Sequence, residues 1–312
     1  MKERLLVIVG PTAVGKTEMS IQLAKRFNGE VVSGDSMQIY RGLNIGTAKI
    51  TADEMENIPH HMIDIIDPLE SFSVTQYQRE ARTIITEINE RGKLPILVGG
   101  TGLYVHAITH DYQFTNIESD EAFREEMEIF AEQYGNDALH KKLQYIDLKS
   151  YKSIHPNNRR RVIRALEVIK RTGKPFSNFQ TKREKSIYDA VFIGLTMDRE
   201  VLYDRINTRI DKMIAKGLFN EARHLYDNNL KDSQAAQAIG YKELFLYFDG
   251  ELSKEEAILL LKRNSRRYAK RQYTWFKNKM DITWFDMTRG KNKKKLEIMK
   301  YVAGKLNCLE KH

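Results

Sequence analysis

The 312-residue chain has a single cysteine, Cys308, which excludes an intramolecular disulfide framework and a cysteine-based zinc site. No apolar run reaches the about 18 residues that a membrane span needs. The charged start Met1-Lys2-Glu3-Arg4 passes straight into a strand pattern instead of a signal peptide. A cytoplasmic protein without a membrane partner is expected. Internal repeats are absent, and the only low-complexity stretch, Lys291 to Lys295, reads as a charged linker. Acidic charge is scarce in one place. Residues 262–312 hold 16 lysines and arginines against 4 acidic residues, a balance of +12 in a chain whose net charge is +9, so the first 261 residues carry −3. A basic region on a nearly neutral body predicts a polyanion surface, with nucleic acid first, against the plainer alternative of a solvated helix.

What is present centres on Gly10-Pro11-Thr12-Ala13-Val14-Gly15-Lys16-Thr17. The apolar run Leu5 to Val9 precedes it, and Met19, Ile21, Leu23, Ala24 and Phe27 follow at helical spacing. Strand, glycine-rich loop and helix in that order form a phosphate-binding loop: backbone N–H groups and the helix N-terminus converge on an anion, Lys16 adds a point charge, and the Thr17 hydroxyl can hold Mg²⁺. A tight turn without a ligand is the bland alternative.

The next strand, Gly29 to Ser33, ends in the turn Gly34-Asp35-Ser36-Met37-Gln38. Ligands of open α/β sheets bind beyond the carboxyl ends of strands, so Asp35 is a candidate base or Mg²⁺ partner, or merely the cap of its turn. Ile39 to Pro59 reads as a long functional loop. His60 to Pro68 reads as a strand with a proline stop, its adjacent histidines pointing to opposite faces and suiting structural roles better than metal ligation. A helix over Val74 to Ile88 and a buried strand Leu94 to Val98 lead to Gly99-Gly100-Thr101-Gly102, where Thr101 presents a hydroxyl to the same crevice. An ordinary ATPase often carries a magnesium-binding Asp at such a strand end. Here Val98 is followed by Gly99, which weakens that reading.

From about Asn116 to Lys185 the texture turns to charged amphipathic segments, Ala122–Tyr134, Ala138–Ile146 and Arg160–Ile169, before strand character returns at Ala190 to Leu195. This predicts a P-loop NTPase-like α/β fold, a parallel sheet flanked by helices over residues 1–115 and 190–312, with an α-helical insertion over 116–189. Arg159, Arg160, Arg161 and Arg164, with Lys170-Arg171 and Lys182-Arg183, form a cationic cluster for phosphates or a solvated face. Helices are expected from Asp198 to Gly217, with Arg205 and Arg209 on one face, from Leu218 to Asp227 with Arg223, and from Gln237 to Leu244. Ser253 and Glu256 make a capping box for a helix running to Phe276, in which Arg263, Arg266, Arg267, Lys270 and Arg271 interleave with Tyr273 and Trp275.

The loop, the Ser33 to Tyr40 turn, Ile45 to Lys49, His60-His61, Val98 to Tyr104, Arg164-Ala165-Leu166-Glu167, Ile239-Gly240-Tyr241 and Ala269 to Trp275 stand in an order that resembles the tRNA dimethylallyltransferase (isopentenyltransferase) family, over nearly the full length. With Cys308 as its one cysteine, the chain is similar to the shorter bacterial form. Arg159-Arg160 departs from the Pro-Gln frequent in bacterial relatives. The resemblance implies transfer of a dimethylallyl group from dimethylallyl diphosphate to N6 of the adenosine 3′ of the anticodon (position 37) in tRNAs reading codons that begin with U. It implies Mg²⁺ on Thr17, the diphosphate on Gly10 to Thr17 with Arg209 and Arg223 completing the clamp, Asp35 as base, and Thr101 positioning the reacting groups. The anticodon stem-loop is expected to meet Asp35, Ser36, Met37, Gln38, Thr101, Arg159, Arg160, Arg161, Val162, Ile163, Arg164 and Arg271. No obligatory protein partner is implied. Two alternatives remain open at this point: an adenylate isopentenyltransferase acting on free nucleotide, and a P-loop small-molecule kinase.

Overall fold

The computed structural model describes residues 2–110, 120–179 and 186–309. The chain divides into two compact units, Met1–His110 with Ser186–His312, and Asp111–Lys185. The boundary expected after residue 115 falls outside the described residues, as do Lys182 and Arg183.

In the larger unit, β1 (Arg4–Val9), β2 (Gly29–Ser33), β3 (His60–His61), β4 (Leu94–Gly99), β5 (Asp189–Thr196) and β6 (Thr283–Asp286) form one parallel sheet in the order β3-β2-β4-β1-β5-β6. Leu5 to Val9 are wholly buried, as a central parallel strand covered on both faces requires. Helices α1 (Lys16–Phe27), α2 (Ala52–Met55), α3 (Val74–Glu90) and α4 (Gly102–Thr109) fall in the first half. The smaller unit holds α5 (Glu121–Tyr134), α6 (Asn136–Lys141), α7 (Leu148–Ser153) and α8 (Arg159–Thr172), and the larger unit resumes with α9 (Arg199–Ala215), α10 (Leu218–Asp227), α11 (Tyr241–Phe248), α12 (Lys254–Lys279) and α13 (Lys291–Leu309). Among the described residues no helix is long and apolar enough to cross a membrane.

Several local expectations are corrected. Lys291 to Lys295 is no linker: it opens α13, whose Lys291 and Lys295, one turn apart, both pair with Glu18 of α1, while Ile298 and Val302 enter the core. The strand expected over His60 to Pro68 stops at His61, because Met62 and Asp64 take φ of 61° and 54° in the left-handed region. The Asp64 carboxylate there pairs with buried Lys49. The loop Ile39 to Pro59 contains α2, whose Thr51 and Glu54 form a reciprocal capping box. α11 starts at Tyr241, not Gln237, after a glycine cap at Gly240. The segment Ala138–Ile146 is helical only to Lys141.

The smaller unit has its own apolar core of Phe123, Met127, Leu139, Leu143, Val162, Ile163 and Leu166. Its buried Glu167 accepts hydrogen bonds from the Asp120 backbone N–H at 2.8 Å, Arg124 Nε at 2.9 Å and Arg164 at 2.5 Å. Those cations and the amide offset the cost of burying the carboxylate.

Candidate active site

The glycine-rich loop leaves the carboxyl end of β1 and bends back into α1. Gly10 has φ 147°, and a Cβ there would lie 2.4 Å from the Leu195 carbonyl of neighbouring β5, so only glycine lets the loop hug the sheet. The Lys16 ammonium donates to the Gly10 and Pro11 carbonyls at 2.9 Å each. Burial, and after it the Arg209 guanidinium, depress Lys16 from the usual lysine value to about 7, with the Asp35 carboxylate opposing both. Arg209 is likewise lowered by burial, and Asp35 counteracts. Two cations and one carboxylate thus crowd one site, an arrangement that an incoming polyanion would relieve.

Asp35 lies just beyond β2. Its Oδ1 accepts the Met37 backbone N–H at 2.8 Å, closing an Asx turn. The cap and the candidate base are therefore the same carboxylate. Thr101, at the N-cap of α4, makes no capping bond through its side chain. Its Oγ1 instead accepts the Ser36 backbone N–H at 3.3 Å and lies 3.4 Å from the Ser36 hydroxyl. Gln38 reaches the Thr47 and Ala48 carbonyls at 3.3 and 3.5 Å.

Two cavities meet here. The polar one, about 760 Å³, is lined by Lys16, Thr17, Asp35, Gln38, Gly100, Asp204, Arg205, Arg209 and Lys212. The apolar one, about 390 Å³, is lined by Met37, Ile206, Ile210, Met213, Leu218, Ile239, Leu261, Ser265 and Tyr268, with Ser36 and Thr101. Thr12, Asp35, Thr47 and Arg209 border both. A ligand with an anionic head and a short apolar tail fits this pair of spaces, its head-to-tail bond beside Asp35 and Arg209. Arg205, one turn before Arg209 on α9, faces the polar cavity too.

Thr17, Asp35 and Asp204 give that cavity the oxygen donors Mg²⁺ prefers. Among the described residues no group of three His, Cys, Asp or Glu side chains could hold a metal alone. The set suits an Mg²⁺ that keeps waters and arrives with phosphate oxygens.

The remaining expected residues do not all join the site. Arg223 stands apart from both cavities: its guanidinium lies 3.8 Å from the Phe248 ring centroid and 3.8 Å from Asp227, and it borders neither space. Val162 and Ile163 are buried in the smaller unit's core, so their side chains cannot meet RNA. Arg159 is held by Glu128 and Asn136 at 2.9 Å, and Arg164 by Glu167. Arg160 and Arg161 are exposed on α8. Arg271 is exposed on α12, lining a shallow groove with Arg267, Lys270 and Lys279. The histidine pair is structural, as expected: His61 Nε2 lies 2.7 Å from buried Glu30, and His60 Nδ1 lies 2.8 Å from the Ile58 carbonyl.

Sequence reading missed Glu221. Its carboxylate accepts the Asn44, Ile45 and Gly46 backbone N–H groups at 2.8 Å each and the Tyr241 hydroxyl at 2.7 Å, pinning the loop that carries Thr47. Gly46 and Tyr241 record only their own close packing, a Cβ on Gly46 lying 2.6 Å from the Tyr241 ring, and nothing near either in sequence points to Glu221.

A family model described as IPP transferase matches residues 38–279. The chain is 60% identical over 309 residues to the tRNA dimethylallyltransferase of Halalkalibacterium halodurans, covering 98% of each chain. It resembles the crystal structure of a full-length tRNA isopentenylpyrophosphate transferase from Bacillus halodurans, with a TM-score of 0.76, 59% identity and 100% of both chains covered. It also resembles a eukaryotic dimethylallyltransferase acting on tRNA, with a TM-score of 0.76, 32% identity and coverage of 92% of this chain and 74% of that one.

Proposed function

The chain belongs to the IPP transferase family, and from that footing we propose that it transfers the dimethylallyl group of dimethylallyl diphosphate to N6 of the adenosine 3′ of the anticodon (position 37) in tRNAs reading codons that begin with U. The observation that carries this reading is the junction of a cationic cavity and an apolar cavity at Thr12, Asp35, Thr47 and Arg209. The diphosphate sits over the Gly10 to Thr17 loop against Lys16 and Arg209, and the five-carbon tail lies among Ile206, Ile210 and Met213. Thr17, with diphosphate oxygens, would hold Mg²⁺, which when bound offsets negative charge on the leaving group.

The reaction forms a bond from adenine N6 to C1 of the allyl group and breaks the C1–O bond, and diphosphate leaves with the bonding pair. Adenine N6 is a weak nucleophile, its lone pair being delocalised into the ring. Asp35 accepts the N6 proton as attack proceeds. Lys16 and Arg209 stabilise charge that grows on the departing oxygen in a site already organised for it. The Thr101 hydroxyl, held by the Ser36 amide, orients the reacting groups. The adenosine must leave its stack to reach Asp35, and Ser36, Met37 and Gln38 flank it there.

RNA affinity comes from exposed cations, Arg271 with Arg267 and Lys270 on α12 and Arg160 with Arg161 on α8. The deciding experiment incubates the protein with dimethylallyl diphosphate, Mg²⁺ and an unmodified anticodon stem-loop, followed by nucleoside mass analysis. One added C5H8 unit on the adenosine is the expected result. Phosphate transfer from ATP with the RNA unchanged, or preferential prenylation of free AMP, would refute the proposal.

A further inference from the structure

Helix α12 carries different chemistry on its two faces. Outward, Arg267, Lys270 and Arg271 are exposed. Inward, Tyr268, Gln272 and Trp275 stand at i, i+4 and i+7, one stripe of a helix. Gln272 is 6% exposed, and both ends of its amide are engaged. Its Oε1 accepts the Thr12 backbone N–H at 2.8 Å, and its Nε2 donates to the Gly100 carbonyl at 3.0 Å. One side chain thus ties the phosphate-binding loop to the loop that ends β4. The fit has no slack. A Cβ on Gly100 would lie 2.2 Å from Gln272 Nε2, and one on Gly102 would lie 2.3 Å from the Trp275 ring. One turn before Gln272, Tyr268 lines the same cavity as Thr101 and Asp35, and burial, then the neighbouring Asp35, push its phenol up to about 12.

We propose that Gln272, with Tyr268, is the positioning residue that sets the spacing between the phosphate-binding loop and Thr101. Neither side chain has to touch the leaving group. They fix where two loops from different strands present their groups to it, and a small loss of such placement is expensive in rate. The proposal rests on the assignment of the diphosphate to the Gly10 to Thr17 loop.

Three readouts on the full-length protein test it. Calorimetric titration with Mg²⁺ and inorganic pyrophosphate reads the loop, steady-state kinetics reads the chemistry, and stem-loop affinity reads the outer face of α12. Gln272→Met keeps the side chain's length and neither hydrogen bond. Gln272→Glu keeps the acceptor for Thr12 but sets a carboxylate near Lys16, whose Nζ would lie 3.7 Å from the same Gly100 Cβ. Pyrophosphate Kd is expected to rise about tenfold in Gln272→Met and further in Gln272→Glu, with RNA affinity within about twofold of wild type. Tyr268→Phe is expected to lower kcat about tenfold while donor KM stays within about threefold. A purely structural strut gives the reverse order, Gln272→Met worse than Gln272→Glu, with RNA affinity falling alongside. That order overturns the proposal, as does wild-type pyrophosphate affinity in both variants. Wild-type protein that fails to bind pyrophosphate defeats the diphosphate assignment itself, and the proposal with it.

Discussion

The polar cavity over the glycine-rich loop and the apolar cavity beside it border the same four residues, Thr12, Asp35, Thr47 and Arg209, yet are walled by opposite chemistry. One collects Lys16, Arg205, Arg209 and Lys212; the other collects Ile206, Ile210, Met213, Leu218 and Leu261. Helix α9 builds both, since Arg205 and Arg209 fall on one stripe and Ile206, Ile210 and Met213 on the adjacent one. Under the proposed reaction an allylic diphosphate would use both, its head in the polar space and its tail in the apolar one. The contrast therefore predicts where each substitution acts. Asp35→Ala, at the junction, should lower kcat by about two to four decades with RNA affinity unchanged, as loss of a general base does. Turnover near wild type would remove Asp35 from that role.

The polar side is tested next by pH. Lys16 sits near 7 in the ligand-free protein and a bound diphosphate would raise it, so binding takes up a proton wherever free Lys16 is neutral. Below about 7 the ammonium is already formed and Lys16 adds no slope of its own, leaving only protonation of the diphosphate, which Lys16→Arg shares. Above it, Kd for pyrophosphate should weaken by up to about tenfold per pH unit until the bound-state value is reached. Lys16→Arg, which stays charged, should abolish that slope. A slope that survives the replacement would place the titrating group elsewhere.

On the apolar side, Ser265→Leu adds bulk to the cavity from a helix that tolerates leucine. Donor KM should rise about tenfold, the loss expected when roughly two methylene equivalents of tail are excluded. Pyrophosphate affinity should stay unchanged. Equal losses for donor and pyrophosphate would dissolve the distinction between the two spaces.

How far such a site is legible in a sequence depends on whether backbone or side-chain destination decides it. Gly10, Gly15, Lys16 and Thr17 declare themselves because glycine spacing between a strand and a helix constrains the backbone, and the backbone is what grips a phosphate. Asp35 and Thr101 follow from strand ends in a parallel sheet. The arginines of α8 show the limit: their spacing displays a positive face, but Arg159 and Arg164 are consumed by Glu128 and Glu167, and the periodicity that exposes Arg160 and Arg161 buries Val162 and Ile163. Glu221 and Gln272 were invisible for a related reason. Each acts on a backbone more than 170 residues away in sequence, for which no local pattern exists. Lys291 to Lys295 looked like a linker because a lysine run shows no apolar face, and only its partner Glu18, on the first helix, accounts for the turn.

Arg223 supplies the smallest expected effect and the sharpest control, because it shares its charge with Arg209 and none of its surroundings. Its guanidinium packs on the Phe248 ring and pairs with Asp227 one turn along α10, both at the surface. Interactions of that kind contribute about 0.2–1 kcal/mol each. Arg223→Gln should therefore lower Tm by no more than about 4 °C in a unit of this size, with donor KM and kcat within about twofold of wild type. Arg209→Gln removes a partly buried cation from the border of both cavities and should raise donor KM by at least about tenfold, the scale of a lost charge-assisted contact. Both variants lose one positive charge, so a nonspecific electrostatic contribution to donor binding would affect them alike. Equal increases in donor KM would show that net charge, rather than the lining of the two cavities, governs binding of the donor.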